Sequence, residues 1–308
     1  LTSLELKNFS FNNLTDPHDL EVTQEWVVDD FLPEGSLTML SGESGSGKST
    51  ITLLLASAVA EGKPFLGHPT KQKKVIIIDR ENGGGIYKER FGRLRVGKHE
   101  NITYWGGWEP VEPQGPEFEP YLQIAKEHQP LMIFDSFIAF LGENSEQDAS
   151  EVRRYTNDFR KLAQAGATVV FIHHTGKADS TKQYRGSSDI KASIDMGWLL
   201  TAKDRLQGAR LTNIKAREGV VENIQFFLED ANLIVVDEKY IKQDDPDFLA
   251  VHEAVLLHPG SNQSQIIELV PHIPATRVRK ILLLGADVVK TLRVTKGLNN
   301  ASFYTAKV

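Results

Sequence analysis

The 308-residue chain contains no cysteine. That excludes a disulfide framework, a thiolate metal site and a cysteine nucleophile. It also suits a reducing compartment, and a cytoplasmic location is expected. Long apolar runs are missing as well: none approaches the roughly 18 residues of a membrane span, so no membrane partner is expected. The first thirty residues lack the basic start and apolar block of a secretory signal. The start at Leu1 rather than Met fits a trimmed N-terminus. An excess of positive charge is absent too. Lys and Arg number 35 against 41 Asp and Glu, a formal charge of −6, which excludes a globally basic nucleic-acid coat but leaves room for a local basic patch. What is present is ordinary for a folded protein, 40% hydrophobic and 25% charged, enough for one large domain and one small one.

Residues 1–24 are polar and weakly patterned and read as an N-terminal arm. From Glu25 the texture becomes that of an α/β fold. Leu37–Leu40, VIIID (75–79), ITYW (102–105), LMIFD (131–135) and TVVFIHH (168–174) are short runs rich in Ile, Val, Leu and Phe. Such runs mark strands buried on both faces. Helical stretches at 48–60, 119–128 and 148–165 separate most of them. The alternation predicts a mostly parallel sheet with helices on both faces. After residue 194, DMGWLLT, ARLTNIKARE and IQFFLED read as consecutive strands, an antiparallel extension of that sheet. Glu109–Pro120 holds four prolines and four glutamates and reads as a solvated loop. KQDDPD (242–247) reads as a linker closing a domain over 25–241. Residues 247–308 then carry seven Lys/Arg against four Asp/Glu, the basic part of an acidic protein.

Gly42-Glu43-Ser44-Gly45-Ser46-Gly47-Lys48-Ser49 fits G-x-x-x-x-G-K-[ST] between an expected strand and an expected helix, the context this motif requires. Its glycines let successive backbone N–H groups turn inward around phosphate oxygens, and the helix N-terminus adds positive charge. Gly42, Ser44, Gly45, Ser46, Gly47, Lys48, Ser49 and Thr50 are therefore candidate ATP contacts. Lys48 is expected on the β- and γ-phosphates and Ser49 on Mg²⁺. Asp135 closes LMIFD and offers Mg²⁺ a carboxylate at the mouth of a buried scaffold. Asp79 and Glu81 close VIIIDREN; alternation places both on one face, and either can polarise the attacking water or pair with Arg80 or Lys74 at the surface. His173 and His174 end TVVFIHH on opposite faces, which argues against a shared zinc. One ring is expected in the core; the other is either plainly exposed or a sensor of the γ-phosphate.

These motifs in this order resemble the RecA-like ATPases, most closely the RepA-type hexameric helicase branch. The matching residues are SGESGSGKST (41–50), IIIDREN (76–82), LMIFDSF (131–137), GENSEQDASEV (142–152), VVFIHHTGK (169–177) and YRGSSDI (184–190). Coverage runs from about Glu25 to about Glu229. The resemblance implies a catalytic glutamate at Glu81, a Mg²⁺-side aspartate at Asp135, and a γ-phosphate reader at His174 that couples to a DNA-facing loop. Lys215-Ala216-Arg217-Glu218-Gly219 resembles the K-x-R-x-G segment of DnaB-type helicases. By that resemblance Lys215 and Arg217 act on the neighbouring subunit's nucleotide, which demands a homo-oligomer, in this family a hexameric ring. The competing reading of the pair is an ordinary charged surface strand.

Thr175–Arg185 carries Lys177, Lys182 and Arg185 against one acid, Asp179, with Tyr184 available for stacking. Single-strand binding needs such a combination, and in a ring one such loop per subunit would line the pore. Arg185 is a candidate for nucleotide or DNA. The acidic loop Gly142–Ser150 is a poorer DNA contact. The C-terminal unit, 248–308, reads as helix, helix, helix, hairpin. The first helix runs over about Pro246–His258, an Asn262/Gln265 capping box opens the second, and Thr276 caps the third. Val278, Ile281, Leu282 and Gly285 share one face of that third helix, and Arg277 and Lys280 another. The unit resembles a winged-helix domain. That implies duplex DNA or replication proteins as partners, with Arg277 and Lys280 facing a groove and Lys296 and Asn299 on the wing. The expected whole is a RecA-like P-loop core with a mostly parallel sheet followed by a winged helix. It would be an ATP- and Mg²⁺-dependent helicase translocating on single-stranded DNA. A helicase loader or initiator, an ATP-gated DNA-binding regulator and a recombinase-like filament are the competing readings.

Overall fold

The structure is a computed structural model. It describes residue 18 and residues 23–141, 149–175, 187–202, 208–217, 223–236, 245–287, 292–296 and 302–306. β1 (Trp26–Val28) and β2 (Leu32–Pro33) form a small antiparallel pair. The main sheet takes β3 (Leu37–Gly42), β4 (Val75–Asp79), β5 (Ile102–Gly106), β6 (Leu131–Asp135), β7 (Thr168–His174), β8 (Met196–Thr201), β9 (Ala209–Ala216), β10 (Asn223–Glu229) and β11 (Asn232–Val236). Their order is β11-β10-β9-β8-β3-β7-β6-β4-β5. β3, β4, β6 and β7 are buried almost end to end, as strands covered on both faces must be. β5 departs from that expectation. It lies at the sheet edge and leaves Thr103 exposed.

Six helices belong to this part: α1 (Lys48–Glu61), α2 (Gly84–Leu94), α3 (Pro120–His128), α4 (Phe137–Leu141), α5 (Ala149–Gln164) and α6 (Ser187–Ser193), counted among the described residues. α6 corrects one expectation. DMGWLLT does not begin the antiparallel extension: its strand β8 runs parallel to β3, from Thr38 opposite Met196 to Gly42 opposite Leu200. β7 and β8 flank β3 and both run parallel to it, so the chain crosses over between them, and α6 lies on that connection. The antiparallel part starts only at β9 and continues through β10 and β11. The proline-rich stretch 109–120 is also less solvated than expected. Pro113 and Pro116 are buried, and Trp105 donates its indole N–H to the Val111 carbonyl at 2.8 Å.

Apolar clusters cover both faces of the sheet. On one, Ile51, Leu55 and Val59 of α1 pack with Ile77, Trp198 and Phe226. On the other, Phe134, Phe137, Phe159 and Phe171 join α4 and α5 to β6 and β7. Each such buried side chain contributes about 1.5–3 kcal/mol. Phe159 stacks on Phe171 with ring centroids 5.3 Å apart. This packing fixes β7, so that its last residue, His174, emerges at the same sheet end as the loop after β3.

The C-terminal unit is α7 (Pro246–Leu257), β12 (Ser261–Asn262), α8 (Gln263–Leu269), α9 (Ala275–Asp287), β13 (Leu292–Lys296) and β14 (Ser302–Ala306). Its three strands lie in the order β12-β14-β13 around a core that includes Phe248, Val251, Ile266, Val278, Ile281, Leu282 and Tyr304. Its first helix starts at Pro246. Asp245 caps α7 by accepting from the N–H groups of Asp247 and Phe248, so residues 245–247 belong to the helix start. The rest of the expected linker, 242–244, lies outside the described residues, as does nearly all of the 1–24 arm. The Asn262/Gln265 capping box is formed. Thr276 is not a cap: it lies inside the first turn of α9, and its hydroxyl donates to Glu229 Oε2 at 3.0 Å. Arg279 pairs with the same Glu229, and Leu283 packs with Phe227 and Val236. One stripe of α9 therefore docks on β10 and β11. No helix among the described residues is long and apolar enough to cross a membrane.

Candidate nucleotide site

β3 ends on Gly42 and α1 begins at Lys48, so the glycine-rich loop sits where the parallel strands end. Gly47 caps α1 at φ 98°, a conformation that glycine adopts without penalty. Gly42 is required for a different reason. A Cβ there would lie 2.6 Å from the Leu200 carbonyl oxygen of β8 and 2.9 Å from Ser46 Oγ. Ser44 and Gly45 are exposed at the tip, while Ser49 and Thr50 lie partly exposed in the first turn of α1. Lys48 is only 4% exposed. Its ammonium donates to the carbonyls of Gly42 and Glu43, both at 2.9 Å. Burial holds it below its ordinary pKa, with Asp135 and Glu81 pulling the other way.

Asp79 and Glu81 do not share a strand face, because β4 stops at Asp79. Asp79 is fully buried and organises the turn beyond it. Its Oδ1 accepts from the N–H groups of Glu81 and Asn82 at 2.7 Å each. Its Oδ2 accepts from the Asn82 amide at 2.9 Å and the Tyr87 hydroxyl at 2.7 Å. These bonds fix the turn from which Glu81 reaches His174. Arg80, one of the surface partners considered for these carboxylates, pairs with Glu112 instead.

His174 bridges Lys48 and Glu81. Lys48 Nζ lies 3.3 Å from its Nδ1, and its Nε2 lies 3.2 Å from Glu81 Oε2. An ammonium offers only donors, so Nδ1 accepts from Lys48 and Nε2 donates to Glu81. That hydrogen bond is the largest cause holding Glu81 down at about 2. His173 is the core histidine, 5% exposed and packed edge-on to Phe137. Burial lowers its pKa to about 4. The two rings face opposite sides, and no group of three or more His, Asp or Glu among the described residues is placed to cage a metal.

Asp135 closes β6 at 3% exposure. Burial first, then the charges of Asp79 and Glu81, push its carboxyl up to about 7, with the Ser49 hydroxyl beside it working the other way. Arg90 of α2 was not apparent in the sequence. Its guanidinium lies 5.6 Å from the Tyr87 ring centroid. Its Nη1 is buried with no hydrogen-bond partner among the described residues. Neither Arg90 nor Tyr87 falls within a motif; only their position one and two turns into α2, behind Asp79, marks them.

The remaining candidates lie elsewhere. Lys215 and Arg217 sit at the opposite end of the sheet. Gly197 is opposite Lys215 and Met196 opposite Ala216, whereas Gly42 is opposite Leu200. Arg217 is therefore roughly 16 Å along the strands from its own phosphate loop. It pairs with Asp195 at 3.0 Å. Arg277 is held by Asp245 and Asp247. Lys280 lies beside it on α9, half-buried and without an ion pair among the described residues. Lys177, Lys182 and Arg185 lie outside the described residues, as do Glu218, Gly219 and Asn299.

Two features of the site fit a nucleoside triphosphate with Mg²⁺. Ser46 Oγ, in the middle of the loop, is buried with no hydrogen-bond partner among the described residues, an orphan that a phosphate oxygen would satisfy. Asp135 and Ser49 supply the small oxygen donor set that Mg²⁺ takes when phosphates complete its shell.

Residues 3–180 match the model of the AAA_25 family, described as an AAA domain; the match includes most of the segment expected to be an arm. The chain is 27% identical over 147 residues to the DNA repair protein RadA of Aquifex aeolicus, 46% of this chain. It spans 28% of the length of that relative. The crystal structure of the flagellar accessory protein FlaH from Methanocaldococcus jannaschii aligns with a TM-score of 0.48 at 15% identity, covering 68% of this chain and 99% of that one. The family match spans more than half of the sequence, and the chain belongs to the AAA_25 family of AAA domains, as a RecA-like P-loop ATPase.

Proposed function

We propose that this protein is an ATP hydrolase that works as a hexameric ring helicase, translocating on single-stranded DNA during replication in the manner of the RepA-type enzymes. The observation that carries the reading is the chain Lys48–His174–Glu81. One imidazole touches the group that holds phosphate and the group that orients water. It is also the last residue of β7, directly before the basic segment 175–185. Nucleotide state and the position of that segment thus meet at one side chain. Similarity to a protein named for DNA repair adds support for DNA as the partner.

The chemistry is in-line attack of water on the γ-phosphate. Glu81, ionised and aimed by the Asp79 turn, orients the water. Lys48 and the backbone N–H groups of the loop hold the phosphate charge. Mg²⁺ bound beside Ser49 and Asp135 would supply further charge neutralisation on the phosphate oxygens. Arg217 and Lys215 are too far along the strands to serve their own site, which supports their acting on the nucleotide of the next subunit. Lys177, Lys182 and Arg185 bind the DNA backbone. The reading of the C-terminal unit as a winged helix is supported by its order of one helix, a short strand, two helices and a hairpin, with the first strand added beside the last.

A second reading, a helicase loader or ATP-gated regulator, is favoured by α9. The helix expected in a DNA groove docks on β10 and β11, with Arg277 tied to Asp245 and Asp247. Steady-state ATP turnover with and without single-stranded DNA separates the two, with Glu81→Ala as the blank. A helicase motor shows strong stimulation that the variant loses. Turnover indifferent to single strands selects the loader or regulator.

A further inference from the structure

Lys215 and Arg217 are held in place by the last turn of α6 and the short link from it to β8. Lys215 Nζ donates to the carbonyls of Lys191 and Ala192, the latter at 3.1 Å, in the last turn of α6. Arg217 Nη1 pairs with Asp195 Oδ1 at 3.0 Å, and the Arg217 backbone N–H donates to the Asp195 carbonyl at 3.1 Å. Asp195 is anchored from behind. Its Oδ2 accepts from the Leu37 N–H at 2.9 Å and pairs with Arg160 of α5. Its own N–H donates to the Leu37 carbonyl at 2.8 Å.

The two carboxylate oxygens thus have different duties. One is fixed to α5 and to the first residue of β3, the strand that ends in the phosphate loop. The other faces Arg217. The Asp195 side chain is 15% exposed and that of Arg217 54%. Ion pairs with so open a partner contribute little to stability, so folding gains little from the contact. The geometry gains more. Only Nη1 of Arg217 is engaged, and Nε and Nη2 have no partner among the described residues.

The geometry points to Asp195 as a positioning residue: it holds the Arg217 guanidinium on the base of its own phosphate-loop strand, so that the remaining two nitrogens face the nucleotide bound by the neighbouring subunit. This rests on the reading above that Arg217 acts in trans. It adds a mechanical link, because Leu37 begins the same strand that Gly42 ends. A shift of one subunit's phosphate loop would reach the finger that it offers to the next.

Asp195→Asn tests this. An asparagine keeps one oxygen for Leu37 and Arg160 but turns an N–H₂ group toward Arg217. Misplacing a catalytic group by about 1 Å costs up to ~10²-fold. The expected loss in kcat is roughly 10- to 100-fold, with KM for ATP nearly unchanged. Thermal unfolding should stay close to that of the unaltered protein. The distinguishing readout is a mixture of Asp195→Asn with Glu81→Gln subunits. Glu81→Gln subunits hydrolyse little themselves but present an intact Asp195–Arg217 pair, so the mixture regains turnover at Asp195→Asn sites. If Asp195→Asn is slow and mixing restores nothing, Asp195 acts on its own site and the inference is overturned. Unchanged turnover in Asp195→Asn beside a slow Arg217→Ala also overturns it, while leaving the trans finger standing. Full turnover in Arg217→Ala removes the trans reading itself. Should Asp195→Asn not yield folded protein, Asp195→Glu keeps the charge but displaces the guanidinium by one methylene, and the same kcat loss and rescue are expected.

Discussion

The two ends of the parallel sheet treat charge in opposite ways. Where the strands end, Lys48, Asp79 and Asp135 are buried against one another, and both Lys48 and Asp135 are displaced from their ordinary proton affinities. Ser46 Oγ has no partner among the described residues, and Lys48 rests on backbone carbonyls. At the other end, Asp195 is satisfied by Leu37 and Arg160 and leaves a half-exposed Arg217 facing outward. In the proposed function one end receives phosphate and the other presents a cation. Arg217 lies too far along the strands to meet the loop of its own chain, so on that reading the two ends cooperate between copies.

The contrast is broken most severely by removing the presenting end. Arg217→Ala should lower kcat by roughly 10³–10⁵-fold, the usual worth of an arginine finger. Equilibrium binding of a fluorescent ATP analogue should be nearly unaffected. Removing the water-orienting group at the receiving end should cost somewhat less. Glu81→Gln is expected to reduce kcat by about 10²–10⁴-fold and to leave DNA binding intact in a filter or anisotropy assay. A milder effect belongs to the strand that joins the two halves of the sheet. Trp198 of β8 stacks on Phe31 at 4.6 Å and donates its N–H to the Phe31 carbonyl at 3.1 Å. Trp198→Ala should destabilise by about 3–5 kcal/mol in urea titrations. The smallest effect lies far from either end. Ala231 sits at φ 68° in the turn between β10 and β11, a conformation that costs a non-glycine residue roughly 1 kcal/mol. Ala231→Gly should raise stability by up to about that amount without altering turnover.

Much of the receiving end was legible in the sequence because its chemistry is local. A phosphate loop needs its glycines, lysine and serine in one run, and Asp135 and His174 each close an apolar run. The choice between Asp79 and Glu81 was not legible from spacing, because strand alternation stops at Asp79 and a turn takes over. Arg90 and Tyr87 were invisible for a related reason: the placement of α2 brings them behind Asp79, and no motif records it. β8 was misread because its crossover helix α6 is only seven residues long and lies inside a stretch that the resemblance had already claimed. β11 escaped because its hairpin turns on Asp230-Ala231, both at positive φ. Such turns usually announce themselves with Asn-Gly or Asp-Gly. The docking of α9 was hidden for a simpler reason. Thr276 looks like a cap until Glu229, far away in sequence, is placed beside it and Arg279.

The division of labour between copies is tested most directly by mixing two inactive variants. Glu81→Gln keeps the presenting end and Arg217→Ala keeps the receiving end. Each alone should turn over ATP far more slowly than the unaltered protein. In an equal mixture that exchanges subunits, about a quarter of the interfaces pair an intact receiving end with an intact presenting end. Turnover should therefore recover to a comparable fraction of the unaltered rate. A mixture no faster than its components, under conditions where subunit exchange is demonstrated, would contradict the account.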